Sequence, residues 1–131
     1  MKNQDKAMEW LRRAKSNLAC AKIGRISPEI LYEDLCFNTH QAVEKALKSL
    51  CIMHEIKFPK THDIAYLFEI LEKGNVPVPH GVKNARILNE YAVEARYPGD
   101  YEPIDEMDYS KALEIAKKVL KWVEKMIEEK S

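Results

Sequence analysis

Two groups of side chains in this sequence have the types and the spacing to do chemistry. The first is the run Ala95-Arg96-Tyr97-Pro98-Gly99-Asp100-Tyr101, where an arginine, two tyrosines and an aspartate crowd a tight turn. Arginine is scarce in this chain, five against sixteen lysines. A guanidinium at a helix end beside aromatic rings can hold a phosphate through two parallel hydrogen bonds and stack on a base. The same residues also support a plainer arrangement, in which Arg96 pairs with Asp100 while Tyr97 and Tyr101 seal the end of the fold. The second group is the series His40, Glu44 and Lys48 at four-residue spacing. On a helix such residues form one row, and this row is expected to turn from the core edge toward solvent, where it would line a groove or a subunit contact. His40 and His54 both fall within an apolar arc, which predicts mostly buried rings whose nitrogens find a hydroxyl or a carbonyl.

Other chemistries find less support. His40, Glu44, His62, Asp63 and His80 are metal-ligand types, but none of them forms an H-E-x-x-H pattern or a cysteine knuckle, so no metal and no cofactor is expected. Cys36 and His40 would be neighbours on one helix without an oxyanion site, a poor nucleophilic pair. With four glycines and neither G-x-x-x-x-G-K nor G-x-G-x-x-G, the chain has no loop to cradle phosphate. Its 21 basic and 21 acidic residues cancel, so any grip on nucleic acid or on an anionic membrane must come from a local patch. Cys20, Cys36 and Cys51 are odd in number, lack C-x-x-C spacing and fall in amphipathic helical stretches, which reads as buried free thiols in a reducing compartment. No apolar run reaches membrane-spanning length and no signal peptide is evident, so the expected location is the cytoplasm.

These groups must be positioned by helices. A length of 131 residues suits one domain, residues 1–131, with a single core. Ala7, Met8, Leu11, Ala14, Leu18 and Ala21 keep the 3-4-3 spacing of a buried helical stripe that ends near Gly24. Ser27-Pro28 marks a break, with Ser27 available as a cap. A long second helix runs from Leu31 to about His54, with Leu35, Cys36, Thr39, Val43, Ala46, Leu47, Leu50 and Cys51 on one arc and Gln41, Lys45, Lys48 and Ile52 off it. Ile64, Leu67, Phe68 and Leu71 define a short third helix capped by Thr61 and stopped by Gly74. Val76-Pro77-Val78-Pro79 must be extended, because each proline removes a donor and restricts its predecessor. The stripe Val82, Ala85, Leu88, Tyr91, Ala92 and Ala95 predicts a fourth helix, ended by Tyr97-Pro98-Gly99-Asp100 in a type II turn. Asp105 then caps a fifth helix carrying Tyr109, Ala112, Leu113, Ala116, Val119, Leu120, Val123, Met126 and Ile127. With no alternating run to suggest a strand, the fold class is all-α: an antiparallel up-and-down four-helix bundle with an additional short helix.

The run Cys36-Phe37-Asn38-Thr39-His40-Gln41-Ala42-Val43-Glu44-Lys45-Ala46-Leu47-Lys48, followed by His62-Asp63-Ile64 and then by Ala95-Arg96-Tyr97-Pro98, resembles the HEPN domain family over essentially the whole chain. The resemblance implies a four- to five-helix bundle that dimerises, a nucleotidyltransferase as protein partner, and a part in nucleotide binding, RNA cleavage or toxin-antitoxin pairs. The family's RNA-cleaving branch carries an arginine followed four to six residues later by a histidine. Here Arg96 is followed after four residues by Tyr101, so the imidazole that would act as general base is missing, and a phenol that titrates near pH 10 replaces it poorly. The expected function is therefore a binding module that engages a nucleotide or RNA, or a nucleotidyltransferase partner, through a groove with Arg96, Tyr97, Asp100, Tyr101, His40, Glu44 and Lys48. Two alternatives remain: a metal-independent endoribonuclease using Arg96 with Tyr101 or with His40, and a non-catalytic dimeric scaffold.

Overall fold

The structure, a computed structural model, describes residues 2–92, 99 and 102–130. Every regular element among them is a helix: α1 (Lys2–Ile23), α2 (Tyr32–Met53), α3 (Ile64–Lys73), α4 (His80–Lys83) running directly into a 3-10 helix (Asn84–Tyr91), and α5 (Glu106–Lys130). The architecture is the expected all-helical bundle. Its fourth member differs in kind from expectation. One turn of α-helix gives way to a 3-10 helix, although Val82, Ala85, Leu88 and Tyr91 are buried as the stripe required. A spacing of three serves both helix types, so the pattern could not separate them.

The long α2 is the central element, packed against α1, α3, the 3-10 helix and α5. That position explains a departure from the helical-wheel reading, which gave α2 a single buried arc. Beyond the apolar arc, Glu44, Lys48 and Ser49 are buried as well. Ser49 meets its need by donating to the Ala7 carbonyl of α1 at 2.7 Å, and on the same seam Lys45 donates to Asn17 at 2.8 Å. Helix α1 buries Ala7, Leu11, Ala14, Leu18 and Ala21, whereas Met8 is exposed and lies outside the stripe.

Local chemistry sets the ends of the helices. Ser27 is not a helix cap: its hydroxyl accepts from the Glu29 amide, and α2 starts only after Leu31, which supplies no side-chain cap. Thr61 likewise accepts from the Asp63 amide, and Asp63 is the true N-cap of α3, accepting from the Tyr66 amide. Gly74 ends α3 as expected. At α5 the Asp105 carboxylate accepts from the Asp108 amide at 2.8 Å and the Asp108 carboxylate accepts from the Asp105 amide at 3.2 Å, a reciprocal cap that satisfies two amides at once. The Tyr109 hydroxyl donates to the Ala21 carbonyl at 2.6 Å and ties the start of α5 to the end of α1.

Candidate functional site

The densest polar cluster lies where α2 passes the loop into α3. Glu44, with its side chain 4% exposed, is held at both oxygens. Its Oε2 accepts from the Lys48 ammonium at 2.9 Å, one helical turn away. Its Oε1 accepts from Nδ1 of His62 at 2.8 Å. Lys48 is equally sheltered, its Nζ lying 5.6 Å from the Trp10 ring centre and 5.8 Å from that of Phe58. A buried carboxylate and ammonium are tolerated only as a pair with their remaining hydrogen bonds filled, and the aromatic faces supply part of what water would give the cation.

His40 completes the cluster from below. Fully buried, it donates from Nε2 to the His62 carbonyl at 2.9 Å, while its Nδ1 faces the Gln41 amide at 3.5 Å and lies 4.0 Å from Glu44. The carbonyl acceptor fixes the tautomer with the proton on Nε2. Burial holds the ring's pKa below its ordinary value, against the opposing pull of Glu44, so the ring is neutral at pH 7. Residue 62 is thus gripped twice, at its carbonyl by His40 and at its ring by Glu44. Next to it, Asn89 of the 3-10 helix accepts from the Ile64 amide at 2.9 Å and donates to Asp63 at 2.8 Å, clamping that helix to the start of α3.

The row His40, Glu44, Lys48 therefore does not turn toward solvent as expected. All three side chains are inside, because α2 is covered on several sides. The group that does reach solvent is His62, its side chain 71% exposed. In the sequence His62 stands out only as a metal-ligand type. The sole hint was the pairing of His62-Asp63-Ile64 with the α2 motif, and a contact eighteen residues apart has no helical period to reveal it. His54 is half-buried rather than mostly buried, with its Nε2 enclosed and without a partner among the described residues, and burial together with Lys130 lowers its pKa.

Arg96, Tyr97, Asp100 and Tyr101 lie outside the described residues. Gly99 is described, and its φ of +91° is the left-handed value that the third position of a type II turn demands. On either side of this segment in the chain, Glu90, Tyr91, Glu102, Pro103, Ile104 and Asp108 line a polar recess of about 240 Å³. Of the three thiols expected to be buried, Cys20 is exposed on α1, whereas those of Cys36 and Cys51 are buried and pushed up to about 12, so these two are inert at neutral pH. Among the described residues no three histidine, cysteine or carboxylate side chains gather to hold a metal ion. No helix among them is long and apolar enough to cross a membrane.

The structure is similar to the crystal structure of an archaeal HEPN homologue, with a TM-score of 0.74 and 25% identity over 92% of this chain and 97% of that one. No curated protein matches the sequence. The model of the HEPN domain matches residues 7–126, which takes in the α2 motif, the His62-Asp63-Ile64 step and the Arg96 segment together. On that match the chain belongs to the HEPN domain family.

Proposed function

We propose that this HEPN domain is a binding module that engages a nucleotide or RNA, or a nucleotidyltransferase protein, through the segment carrying Arg96, Tyr97, Asp100 and Tyr101, and that it works as a homodimer, the toxin-like half of a toxin-antitoxin pair. The observation that carries the reading is the family match itself, which spans the Arg96 segment. The left-handed φ of Gly99 is in keeping with the type II turn expected from Pro98 and Gly99. In this reading the buried His40, Glu44 and Lys48 have a supporting part, with His40 and Glu44 bonded to the carbonyl and ring of His62 ahead of α3. Calorimetric titration with a single-stranded oligoribonucleotide and with ATP, each at low and at high salt, tests the ligand. Binding that weakens as salt rises is expected, and the absence of heat with both ligands would refute the nucleotide reading.

A second reading has its own observation. The carboxylates Glu90, Glu102 and Asp108, from residues that flank this segment in the chain, line one recess that repels an anionic ligand and attracts a guanidinium. On that reading Arg96 is a structural tie and the domain is a dimeric scaffold. Light scattering tests the dimer common to both readings, and a monomer at micromolar concentration would count against each of them.

A further inference from the structure

We propose that the groove between α1 and α5 receives an acidic helix of a partner protein, whose carboxylates at four-residue spacing meet Lys117, Lys121 and Lys125. The groove gives the domain a binding face whose chemistry does not depend on the Arg96 segment.

The groove exists because α1 and α5 each pack along α2 and touch one another only sparingly. Tyr109, which donates to the Ala21 carbonyl at 2.6 Å, and the Lys15–Glu124 pair at 3.2 Å join the two helices. The space left between them is about 510 Å³. Lys22 lines it from α1, Lys117, Lys121 and Lys125 line it from α5, and Leu18 and Leu120 contribute one apolar side chain from each helix. Both leucines are buried, so an occupant gains little apolar contact and is held by charge. Lys117 reaches Glu114 at 3.3 Å in an exposed pair, a type of contact that contributes little and exchanges readily. Lys22, Lys121 and Lys125 have no ion pair among the described residues. In a chain of zero net charge this is a local concentration of unpaired ammonium groups, and it flanks a groove whose two walls are fixed on α2, unlike the flat face of an ordinary solvated helix.

Charge and spacing select the occupant. Lys117, Lys121 and Lys125 form one row on α5, with a rise of about 6 Å at each step. A second helix laid along α5 repeats that rise, so its glutamates at i, i+4 and i+8 face all three ammonium groups. The groove also holds the carboxylates of Glu124 and Glu128, of which Glu124 is already bound to Lys15. These repel an unbroken phosphate backbone, and no aromatic side chain lines the groove for a base to stack on. A protein helix can set a lysine or arginine opposite Glu128 and glutamates opposite the lysines, a mixed pattern that a nucleic acid does not possess.

The test uses the full chain and a fluorescein-labelled, alanine-based helical peptide of about 20 residues with glutamate at every fourth position. A second peptide of the same composition has its glutamates at irregular spacing. Fluorescence anisotropy at low salt should show the regular peptide binding more tightly than the irregular one, and binding should fade as salt rises. Lys121→Glu, a change at an exposed side chain, should keep the wild-type melting temperature and weaken the regular peptide on the order of 10-fold. Lys60→Glu makes the same change of net charge at an exposed position outside the groove and should leave the affinity as it is. Equal affinity for the two peptides, equal losses in the two variants, or wild-type affinity in Lys121→Glu would overturn the proposal. So would an unlabelled oligoribonucleotide that displaces the regular peptide from wild type and itself binds Lys121→Glu more weakly, since the groove would then be a nucleic-acid site.

Discussion

Replacing Glu44 and Lys48 by methionine, singly and together, is the sharpest probe of how this fold tolerates charge in its interior. Glu44→Met leaves the Lys48 ammonium, its side chain 7% exposed, without its carboxylate and with only the faces of Trp10 and Phe58 for company. Breaking one half of a buried pair costs about 3–5 kcal/mol. The two rings return part of that, which places this variant near the lower end at about 3 kcal/mol. Lys48→Met leaves Glu44 buried with His62 as its remaining donor, and a similar loss of about 3 kcal/mol is expected. The double variant has no buried charge, and hydrophobic replacement of a buried pair is often neutral or better, so it should lie within about 1 kcal/mol of wild type. The coupling between the positions is then about 5–7 kcal/mol, far above the limit for independent sites. For a chain of 131 residues a loss of 3 kcal/mol lowers Tm by about 10 °C. Urea unfolding of the four proteins measures the cycle. If the double variant lost as much as the two singles combined, the pair would not be the interacting, desolvated unit described above.

Acid should weaken the fold through its histidines. The folded pKa values of His40 and His54 lie below the ordinary 6.5, chiefly through burial, so the unfolded chain takes up protons first as pH falls. Their contribution is complete above about pH 6.5 and is lost as pH falls from there toward the folded values. Urea midpoints at pH 7.5 and 5.5 should show the decline, and an unchanged midpoint would mean that the rings are not held neutral. Ellman's reagent should label one thiol, the exposed Cys20, in the native protein and three after unfolding, while rapid native labelling of Cys36 or Cys51 would contradict their burial. Asp105→Ala removes one half of the reciprocal cap of α5 and should cost about 1 kcal/mol by denaturant unfolding. No change would show the cap to be unimportant.

Much of the bundle was legible because helix periodicity reports burial. The stripes of α1, α3 and α5 were read almost residue by residue, Met8 being the clear exception. What failed was information that no single helix contains. A wheel drawn for α2 assumes one packed face, and nothing within residues 32–53 says that three other elements cover the rest, so Glu44 and Lys48 were assigned to the margin. His62 was passed over for the same reason. Its significance comes from a carboxylate on another element, and its immediate neighbours show only a threonine and an aspartate of the kind that begins helices. Of the four turn residues assigned to ligand binding, none is described, and Gly99 alone speaks for the turn.

The central claim is that Arg96 serves binding and not the architecture, and one variant tests it most directly. Arg96→Lys keeps the charge and removes the planar fork of donors. Titrated with the same oligoribonucleotide, or with a nucleotidyltransferase protein of the kind proposed above, it should lose about 1.5–3 kcal/mol of binding free energy, the scale of a charge-assisted hydrogen bond, while its melting temperature stays at the wild-type value. Unchanged binding together with a melting temperature lowered by several degrees would contradict the claim and make Arg96 a tie to the carboxylates of the Glu90, Glu102 and Asp108 recess.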